Sequence, residues 1–416
     1  MKNGVNGHSE SATAAINETA SPARRWQKYA QITGWGMYVP HQVVPNERFV
    51  ELGLDTSNEW IATRTGIERR RIVGDHEATS DMAVRAAKEA LRVADVHPND
   101  LDLVLIATCT PDHIMPSTAS IVQDRLGAKN AGAMDVNAAC AGFVYALNTG
   151  TTYIEAGRAK NVLVVGADEL SNHLDWKDRS TCVLFGDGAG AVVLSSSDEP
   201  GIMATTMGSD GSGAGLLTIK AGSRNRQSGA RHKNNGKNGK ANGVAPASDD
   251  LYLRMNGPQI FRWATQMMAK ASEKVITASG LNASEVDLFI PHQANSRILE
   301  TTARRLGLPL DKVFSNLKDY GNTSAASIPI ALCEAIQSGR VKIGDNLVLA
   351  SFGAGLSWAA LAMRWGVAVD QQASRWKPIG RGVEERVAAV RSASRRLGWR
   401  VRGELDKRFR KEDDEK

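Results

Sequence analysis

The chain has 416 residues, of which 42% are hydrophobic, and it carries a formal net charge of +6. That length allows two or three domains, and the apolar content excludes a disordered or fibrous protein. No apolar run approaches the roughly 18 residues that span a bilayer. The polar N-terminus lacks the apolar core of a secretory signal, and the aromatic–basic interleaving of RNA-binding proteins is absent. We therefore expect a globular protein with no transmembrane segment and no nucleic-acid partner.

Residues 1–28 are rich in Ser, Ala, Asn and Glu and lack periodicity, which predicts a disordered N-terminal arm. Beyond this arm, short apolar strands alternate with amphipathic helices. Strands are predicted at 101–108 and 161–167, and helices at 80–91 and 117–126. This alternation indicates an α/β protein in which helices cover parallel sheet.

Two later segments break the pattern. Residues 222–250 form a low-complexity basic run that is almost free of apolar residues, which predicts a mobile surface insert. The end of the chain, 367–416, is dominated by Arg, Lys and Glu, with some helical spacing of Val, Leu and Trp. Such a charged tail is typical of a segment that binds a membrane surface or a partner, and equally of a solvated helix.

The cysteines show no pairing pattern and no CxxC spacing. Four are scattered along the chain: Cys109, Cys140, Cys182 and Cys333. This usage is typical of a reducing compartment and argues against a disulfide framework or a zinc site. We therefore expect a cytoplasmic protein that holds no metal.

The second half of the chain repeats the first. The run Leu-Asp-Leu-Val-Leu-Ile that begins at 101 parallels Val-Asp-Leu-Phe-Ile, which begins at 286. The stretch 156–167 likewise parallels 338–350, where Gly-Arg is followed by an apolar strand. Self-similarity at this scale indicates a duplicated structural unit.

The repeat predicts two halves, 29–200 and 201–366, that face each other across a pseudo-twofold axis. In this register Cys140 and Asn322 occupy equivalent strand-to-helix turns. Because equivalent turns meet at such an axis, the repeat predicts that these two residues converge.

Cys140 stands where an apolar strand passes into an amphipathic helix. A cysteine in the first turn of a helix faces unpaired backbone N–H groups and the positive end of the helix dipole. Both favour the thiolate, which is the nucleophilic form. The alternative is a buried structural cysteine, because lone cysteines in apolar runs usually have that role.

Two polar motifs further along favour a nucleophile. His292 lies in Pro-His-Gln-Ala-Asn, and Asn322 lies in Tyr-Gly-Asn-Thr-Ser. Cys, His and Asn in three separate turns are typical of a nucleophile with polar partners. Taken singly, the histidine could equally be a satisfied core residue and the asparagine an ordinary turn residue.

Together, these motifs carry a family resemblance. They are Asp-Val-Asn-Ala-Ala-Cys-Ala-Gly-Phe from 135, Pro-His-Gln-Ala-Asn from 291, Tyr-Gly-Asn-Thr-Ser-Ala-Ala-Ser from 320 and Phe-Gly-Ala-Gly-Leu-Ser-Trp from 352. With them, residues from about 30 to 366 resemble a β-ketoacyl-acyl carrier protein synthase III of the thiolase superfamily. The resemblance implies a thiolase-like fold, in which two duplicated αβ halves form five layers, αβαβα.

The resemblance also implies an activity. Members of this family are homodimeric acyltransferases that condense an acyl-CoA primer with malonyl-acyl carrier protein, with loss of carbon dioxide, at the start of fatty acid synthesis. No cofactor is implied. Cys140 would carry the acyl group, while His292 and Asn322 would hydrogen-bond the malonyl thioester carbonyl. The backbone N–H groups of Cys140 and Ala354 would form the oxyanion hole.

Further residues match positions that bind substrate in this family. Trp60 and Arg64, about one helical turn apart, fit a surface for a nucleotide, or else a core tryptophan beside a solvated arginine. The resemblance favours the first interpretation, with Trp60, Arg64 and Arg179 binding CoA. Met115 matches a loop residue that caps the partner's acyl pocket, where many members carry Phe. Because Met is narrower and flexible, we expect primers longer than acetyl to be accepted.

The resemblance also implies a surface that binds the acidic carrier protein. It falls on four basic residues: Arg297, Arg262, Arg304 and Arg305. Basic residues on a helix are more often simply solvated, so only the resemblance gives them this role.

Three functions remain open from the sequence. The first is a condensing enzyme that starts fatty acid synthesis, and the second is a related condensing enzyme or acyltransferase of a natural-product pathway. The third is a non-catalytic partner that binds an acyl carrier. Intact Cys140, His292 and Asn322 disfavour the third, since inactive partners usually lose the nucleophile. They also disfavour acyl transfer alone, which does not need the decarboxylation pair.

Overall fold

The computed structural model describes residues 28–220 and 251–368. The arm 1–28 (apart from its last residue), the insert 222–250 and nearly all of the tail 367–416 lie outside the described residues, so the predictions for them stay predictions. None of the helices within the described ranges is both long and apolar enough to cross a membrane.

The described strands and helices alternate along both halves of the chain. The strands are β1 (Tyr29–Tyr38), β2 (Gln42–Pro45), β3 (Arg69–Ile72), β4 (Leu103–Ala107), β5 (Gly132–Val136), β6 (Asn161–Asp168), β7 (Gly188–Ser197), β8 (Ile202–Ser209), β9 (Leu217–Thr218), β10 (Arg254–Met255), β11 (Leu288–Pro291), β12 (Asn346–Gly353) and β13 (Ser357–Arg364). The helices are α1 (Glu47–Glu51), α2 (Asn58–Thr65), α3 (Thr79–Ala94), α4 (Thr118–Leu126), α5 (Gly142–Glu155), α6 (Gly257–Ala278), α7 (Ser296–Leu306), α8 (Leu317–Tyr320) and α9 (Ser327–Gln337).

Two main sheets repeat one topology. The first has the order β1-β7-β6-β4-β5, and the second, read from the corresponding edge, has the order β8-β13-β12-β11. In each sheet the central pair, β4 with β6 and β11 with β12, is parallel, and the next two pairings are antiparallel. The place of β5 is taken in the second sheet by a single parallel bridge between Phe289 and Val313. The duplication seen in the sequence is therefore present in four strands of each sheet.

The repeated Asp of the two halves has the same role in both. Asp102 precedes β4 and its Oδ2 accepts a hydrogen bond from the Asn161 backbone N–H at 3.0 Å. Asp287 precedes β11 and accepts from the Asn346 backbone N–H at 2.8 Å. Each carboxylate thus fixes the register of its central parallel pair.

The two sheets and their helices form five layers. One apolar cluster packs α3 and α4 on the outer face of the first sheet, and another packs α6 and α7 on the second. A third cluster lies between the sheets and contains α5 and α9, with Phe143, Leu147, Ile328 and Leu332 all buried. The αβαβα architecture implied by the resemblance is confirmed. It brings the N-terminal ends of α5 and α9 into the centre of the molecule.

Candidate active site

Residues 137–141 join β5 to α5, and we name this segment the nucleophile turn after the predicted role of Cys140. A short 3-10 helix, Ala139–Ala141, precedes α5, and Ala139 begins it with a left-handed φ of 48°. The side chain of Asn137 supports this turn, because its Oδ1 accepts the Ala139 backbone N–H at 3.2 Å. Cys140 therefore lies at the entrance to α5, as predicted, and it is only 7% exposed.

A second turn of the same form joins α8 to α9. The 3-10 helix Ser324–Ala326 begins with Ser324 at a φ of 50°. The Oδ1 of Asn322 accepts the Ser324 backbone N–H at 2.9 Å. Matched residue for residue, Asn322 corresponds to Asn137, three positions before the equivalent of Cys140. The two predicted residues thus occupy equivalent turns, but at different places within them.

The two turns meet at Ser324. Its hydroxyl lies 3.3 Å from the Sγ of Cys140 and 3.8 Å from the Sγ of Cys109. The fully buried Asp168, at the end of β6, fixes this meeting point. Its Oδ2 accepts the Ala325 backbone N–H at 2.9 Å, and its Oδ1 accepts that of Cys109 at 2.8 Å. One carboxylate therefore ties the second turn to the end of β4.

His292 follows β11 and is fully buried. Its backbone N–H donates to the Ala350 carbonyl at 2.8 Å, which extends the pairing of β11 with β12. Its Nδ1 lies 2.6 Å from the Ser327 Oγ, and its Nε2 has no hydrogen-bond partner among the described residues. Burial lowers the pKa of His292 to about 3, so the ring is neutral at physiological pH.

The end of β12 connects the cysteine and the histidine. The Ser351 hydroxyl donates to the Cys140 carbonyl at 2.6 Å, and the Phe352 ring meets the His292 ring edge-on, with centroids 5.3 Å apart. Gly353 lies so close to the nucleophile turn that an added Cβ would be 2.8 Å from the Cys140 backbone N. Ala354 follows at the start of the turn to β13. The nucleophile turn and the His292 ring thus contact adjacent residues of β12, Ser351 and Phe352.

Burial changes the expected ionisation of the cysteine. It raises the pKa of the Cys140 thiol to about 12, although the Ser324 hydroxyl acts in the opposite direction. The backbone hydrogen bond at Cys140 lowers the pKa, which is the direction expected at a helix N-terminus, but loss of solvation outweighs it. Cys140 is a thiol at neutral pH.

The residues predicted to bind CoA lie together. The Arg64 guanidinium lies over the Trp60 ring, 4.8 Å from its centroid, and that of Arg179 lies 5.2 Å from the same centroid. Arg179 also pairs with Asp55 at 3.0 Å. Trp60 is half-buried, and both it and Cys109 pack against one apolar cluster. This cluster extends from the tryptophan towards the two turns.

The remaining predicted residues lie on the surface. Met115 is 86% exposed, on the loop between β4 and α4. All four arginines are exposed, with Arg262 on α6 and the other three on α7. Arg297 donates to the Thr63 carbonyl at 3.1 Å, so it lies beside the end of α2 that carries Arg64. Arg304 and Arg305 lie in the last turn of α7, about 10 Å further along its axis.

Four residues of the site were not predicted. Ser324 and Ser327 were visible within the Tyr-Gly-Asn-Thr-Ser-Ala-Ala-Ser motif, although nothing in it assigned them a contact. Asp168 and Ser351 had no local signal, because their partners lie 157 and 211 residues away in the chain. Within 28–220 and 251–368 no cluster of three or more His, Cys, Asp or Glu side chains is suited to a metal ion.

Duplicated αβ halves with a cysteine, a histidine and an asparagine at their junction define a condensing enzyme of the thiolase type. Two family models match the chain. Residues 134–211 match 3-oxoacyl-[acyl-carrier-protein] synthase III, and residues 276–365 match the C-terminal part of the same family. The chain belongs to the β-ketoacyl-[acyl-carrier-protein] synthase III family and is an acyltransferase.

Similar proteins support this assignment over nearly their whole length. The chain is 48% identical to a β-ketoacyl-[acyl-carrier-protein] synthase III of Clostridium perfringens over 343 residues, which cover 81% of this chain and 99% of the relative. It is 47% identical to a β-ketoacyl-[acyl-carrier-protein] synthase III of Neisseria gonorrhoeae over 339 residues, which cover 81% of this chain and 100% of the relative.

Solved structures show the same fold. The crystal structure of 3-oxoacyl-[acyl-carrier-protein] synthase III from Aquifex aeolicus matches with a TM-score of 0.72 and 46% identity, covering 80% of this chain and 99% of that one. The priming β-ketosynthase from the R1128 polyketide biosynthetic pathway matches with a TM-score of 0.75 and 36% identity, covering 82% and 97%.

Proposed function

We propose that this enzyme condenses an acyl-CoA primer with malonyl-acyl carrier protein to give β-ketoacyl-acyl carrier protein, and so initiates fatty acid synthesis. One observation carries the proposal. The equivalent turns of the two halves meet at Ser324, with a cysteine thiol on one turn and an asparagine amide on the other. The His292 Nε2, which has no hydrogen-bond partner among the residues that the structure describes, is a third polar group and can bind the malonyl thioester carbonyl together with the Asn322 amide.

The first step transfers the acyl group to Cys140. The sulfur attacks the primer thioester, and the bond between the carbonyl carbon and the CoA sulfur breaks. CoA takes up the proton of the Cys140 thiol and leaves as a free thiol. The backbone N–H groups of Cys140 and Ala354 hold the tetrahedral oxyanion. Removing one such donor typically raises a barrier by about 3 kcal/mol. Because Cys140 is a thiol at rest, its proton must leave as the sulfur attacks.

The second step forms the enolate. The malonyl carboxylate leaves as carbon dioxide, and the electrons of the broken C–C bond move to the thioester carbonyl oxygen. His292 Nε2–H and the Asn322 amide N–H donate to that oxygen. The Oδ1 of Asn322 accepts the Ser324 backbone N–H, so the amide Nδ2 is the group of this side chain that can donate. Both groups are neutral, so they stabilise the developing charge without a proton transfer.

The third step joins the two substrates. The enolate carbon attacks the acyl carbonyl on Cys140, a C–C bond forms, and the bond to sulfur breaks. The cysteine thiolate then regains a proton from solvent. The product leaves on the carrier protein, and no redox or metal cofactor is required at any step.

The CoA site is the pair of arginines around Trp60. An adenine ring can stack with the indole or with the guanidinium planes, while Arg64 and Arg179 neutralise the phosphates. Trp60 and Cys109 both pack against one apolar cluster, and the Cys109 Sγ lies 3.8 Å from the Ser324 hydroxyl, so the CoA site and the two turns adjoin the same part of the core.

The carrier protein and a second subunit are the expected partners. Exposed Arg297 lies beside the CoA site, where an acidic carrier would deliver its thioester, and Arg262, Arg304 and Arg305 extend the basic face. β5 forms the edge of the first sheet, and Met134 on it is 36% exposed. An edge strand of this kind can pair with its copy in a homodimer. The exposed Met115 would then reach the partner's acyl pocket. We infer a cytoplasmic location from the four scattered cysteines, a usage typical of a reducing compartment.

A natural-product role is the second candidate, supported by the similarity to the priming ketosynthase of a polyketide pathway. The test for both is incubation of the enzyme with labelled acyl-CoA primers and malonyl-acyl carrier protein, followed by mass spectrometry of the carrier. A β-ketoacyl carrier made from the fatty acid carrier protein supports the first role. A strong preference for a different carrier supports the second. Acylated Cys140 without any condensation product contradicts condensation in either role and supports an acyltransferase of a natural-product pathway.

A further inference from the structure

The Ser327 hydroxyl anchors one side of the buried His292 ring. Its Oγ lies 2.6 Å from Nδ1, and neither residue is more than 2% exposed. The opposite nitrogen, Nε2, has no hydrogen-bond partner among the described residues. One ring nitrogen is thus held by the protein, while the other is free to meet a substrate.

The positions of the hydrogen atoms around Ser327 can be inferred, because each buried donor needs an acceptor. The Gln293 backbone N–H donates to Ser327 Oγ at 3.4 Å. If Nδ1–H also donated to Oγ, the serine hydroxyl hydrogen would be buried with no acceptor, since Oγ has no further hydrogen-bond partner in the described part of the chain. A hydroxyl that donates to Nδ1 satisfies both groups. A neutral ring then carries its single proton on Nε2.

The duplicated half shows that the helix itself does not need this hydroxyl. Ser327 is the first residue of α9, and Gly142 is the first residue of α5. A Cβ at Gly142 would lie 3.2 Å from the Ala107 Cβ, so close packing against β4 favours glycine there. The same helix start is therefore built without a hydroxyl in one half, and it carries one in the half that holds the histidine.

We propose that Ser327 is a positioning residue that locks His292 in the neutral Nε2–H tautomer. The ring can then only donate to the malonyl thioester carbonyl and to the enolate oxygen that follows. The opposite tautomer would direct a lone pair at that oxygen and would repel the developing charge. This role rests on the proposed condensation, because it assigns Nε2–H to the enolate step alone and gives it no part in acyl transfer.

The kinetic test compares Ser327→Ala, Ser327→Thr and Ser338→Ala. Ser338 caps the other end of α9, where its hydroxyl donates to the Glu334 carbonyl, so it is a matched control on the same helix. We expect Ser327→Ala to lower kcat for malonyl-carrier decarboxylation about 10- to 100-fold. KM for the carrier and the single-turnover acylation of Cys140 should stay within about twofold of wild type, since the serine acts only through the histidine. Ser327→Thr, which keeps the hydroxyl, should recover most of the rate, and Ser338→Ala should match wild type.

The tautomer is read directly by long-range ¹H–¹⁵N spectra of enzyme labelled with ¹⁵N-histidine. The His292 signals are identified by their loss in His292→Gln. We expect Nε2 to be protonated in wild type and the Nδ1–H form to appear in Ser327→Ala. A wild-type ring protonated at Nδ1, or a Ser327→Ala enzyme with unchanged tautomer and unchanged decarboxylation, overturns the proposal.

The two assays separate this proposal from the function on which it rests. Wild-type enzyme that never acylates Cys140 or never decarboxylates malonyl-carrier contradicts the proposed function. The spectra need no turnover, so they decide whether Ser327 sets the tautomer in either case.

Discussion

Ala139 and Ser324 adopt the same left-handed backbone, with φ angles of 48° and 50°. Each is the first residue of a 3-10 helix that leads into one of the two central helices, and an asparagine two residues earlier accepts the backbone N–H of each. Non-glycine residues rarely adopt this conformation, and it persists only where the surroundings enforce it. The two halves thus contain copies of one turn, of which one supplies the cysteine and the other the amide.

The paired asparagines give a matched test of the amide's role. We expect Asn322→Ala to lower malonyl-carrier decarboxylation about 100- to 1,000-fold, because it removes one donor to the enolate oxygen. Asn137→Ala removes the same hydrogen bond from the equivalent turn, where the asparagine is exposed, and should lower the decarboxylation rate no more than about threefold. Decarboxylation and thermal unfolding are measured for both variants. Equal loss of decarboxylation in the two would show that the turn, and not the Asn322 amide, matters.

The buried thiol predicts an unusual pH dependence for Cys140. Below its pKa of about 12, the thiolate fraction rises tenfold per pH unit. Alkylation by iodoacetamide should therefore accelerate about tenfold per unit from about pH 6 to pH 9, without a plateau. Ser324→Ala should slow it further, since the hydroxyl lowers the pKa of this thiol, whereas Ser338→Ala should not. Mass spectrometry of the alkylated peptide gives the rate, and a plateau near neutral pH would contradict burial as the dominant effect.

The buried neutral histidine predicts acid sensitivity of folding. The pKa of His292 is about 3 in the folded chain, below its ordinary value of 6.5, so the unfolded chain binds a proton that the folded chain does not. The neutral His292 therefore costs the folded chain nothing above pH 6.5, and the free energy of unfolding falls as the pH drops from 6.5 towards 3. Between about pH 7.5 and pH 5, the free energy of unfolding should fall about 2 kcal/mol more in wild type than in His292→Gln. Urea unfolding at both pH values measures it, and parallel losses in the two proteins would refute it.

The contact between Gly353 and the nucleophile turn predicts that this position rejects any side chain. A Cβ on Gly353 would lie 2.7 Å from the Ala138 carbonyl oxygen and 2.8 Å from the Cys140 backbone N, and neither backbone atom can move cheaply. We expect Gly353→Ala to destabilise the protein by about 1–3 kcal/mol and to slow acylation of Cys140. Gly74→Ala is the control, because a Cβ there meets no atom of the described residues within 4 Å. Unchanged acylation and unfolding in Gly353→Ala would show that the turn is not tightly packed.

The exposed Met115 predicts the breadth of primer use. If it caps the partner's acyl pocket, Met115→Phe should narrow that pocket and lower kcat/KM for octanoyl-CoA about tenfold or more relative to acetyl-CoA. Wild type should accept acetyl-, isobutyryl- and octanoyl-CoA, and competition assays with the three primers compare them. A wild-type enzyme restricted to acetyl-CoA, or a variant with unchanged selectivity, would remove Met115 from the pocket.

The parts of the site that could be predicted from the sequence are those that lie within short continuous motifs. Cys140, His292 and Asn322 each stand in a short motif at the junction of two elements, and the repeat in the sequence was enough to place two of them in equivalent turns. The ionisation of Cys140 could not be predicted in the same way, since it depends on packing by residues far away in the chain. Asp168 and Ser351 were missed for the same reason, because only the folded sheets bring them to the turns.

The most direct test of the central claim is a two-stage experiment on the acyl-enzyme. Wild type, Cys140→Ser and Cys109→Ser are first incubated with labelled acyl-CoA, and peptide mass spectrometry then locates the label. Malonyl-acyl carrier protein is added next. The account predicts that wild type and Cys109→Ser carry the thioester on Cys140 and pass it quantitatively to a β-ketoacyl carrier, while Cys140→Ser carries none. Label on any other residue, or a Cys140 thioester that malonyl-carrier does not discharge, would contradict it.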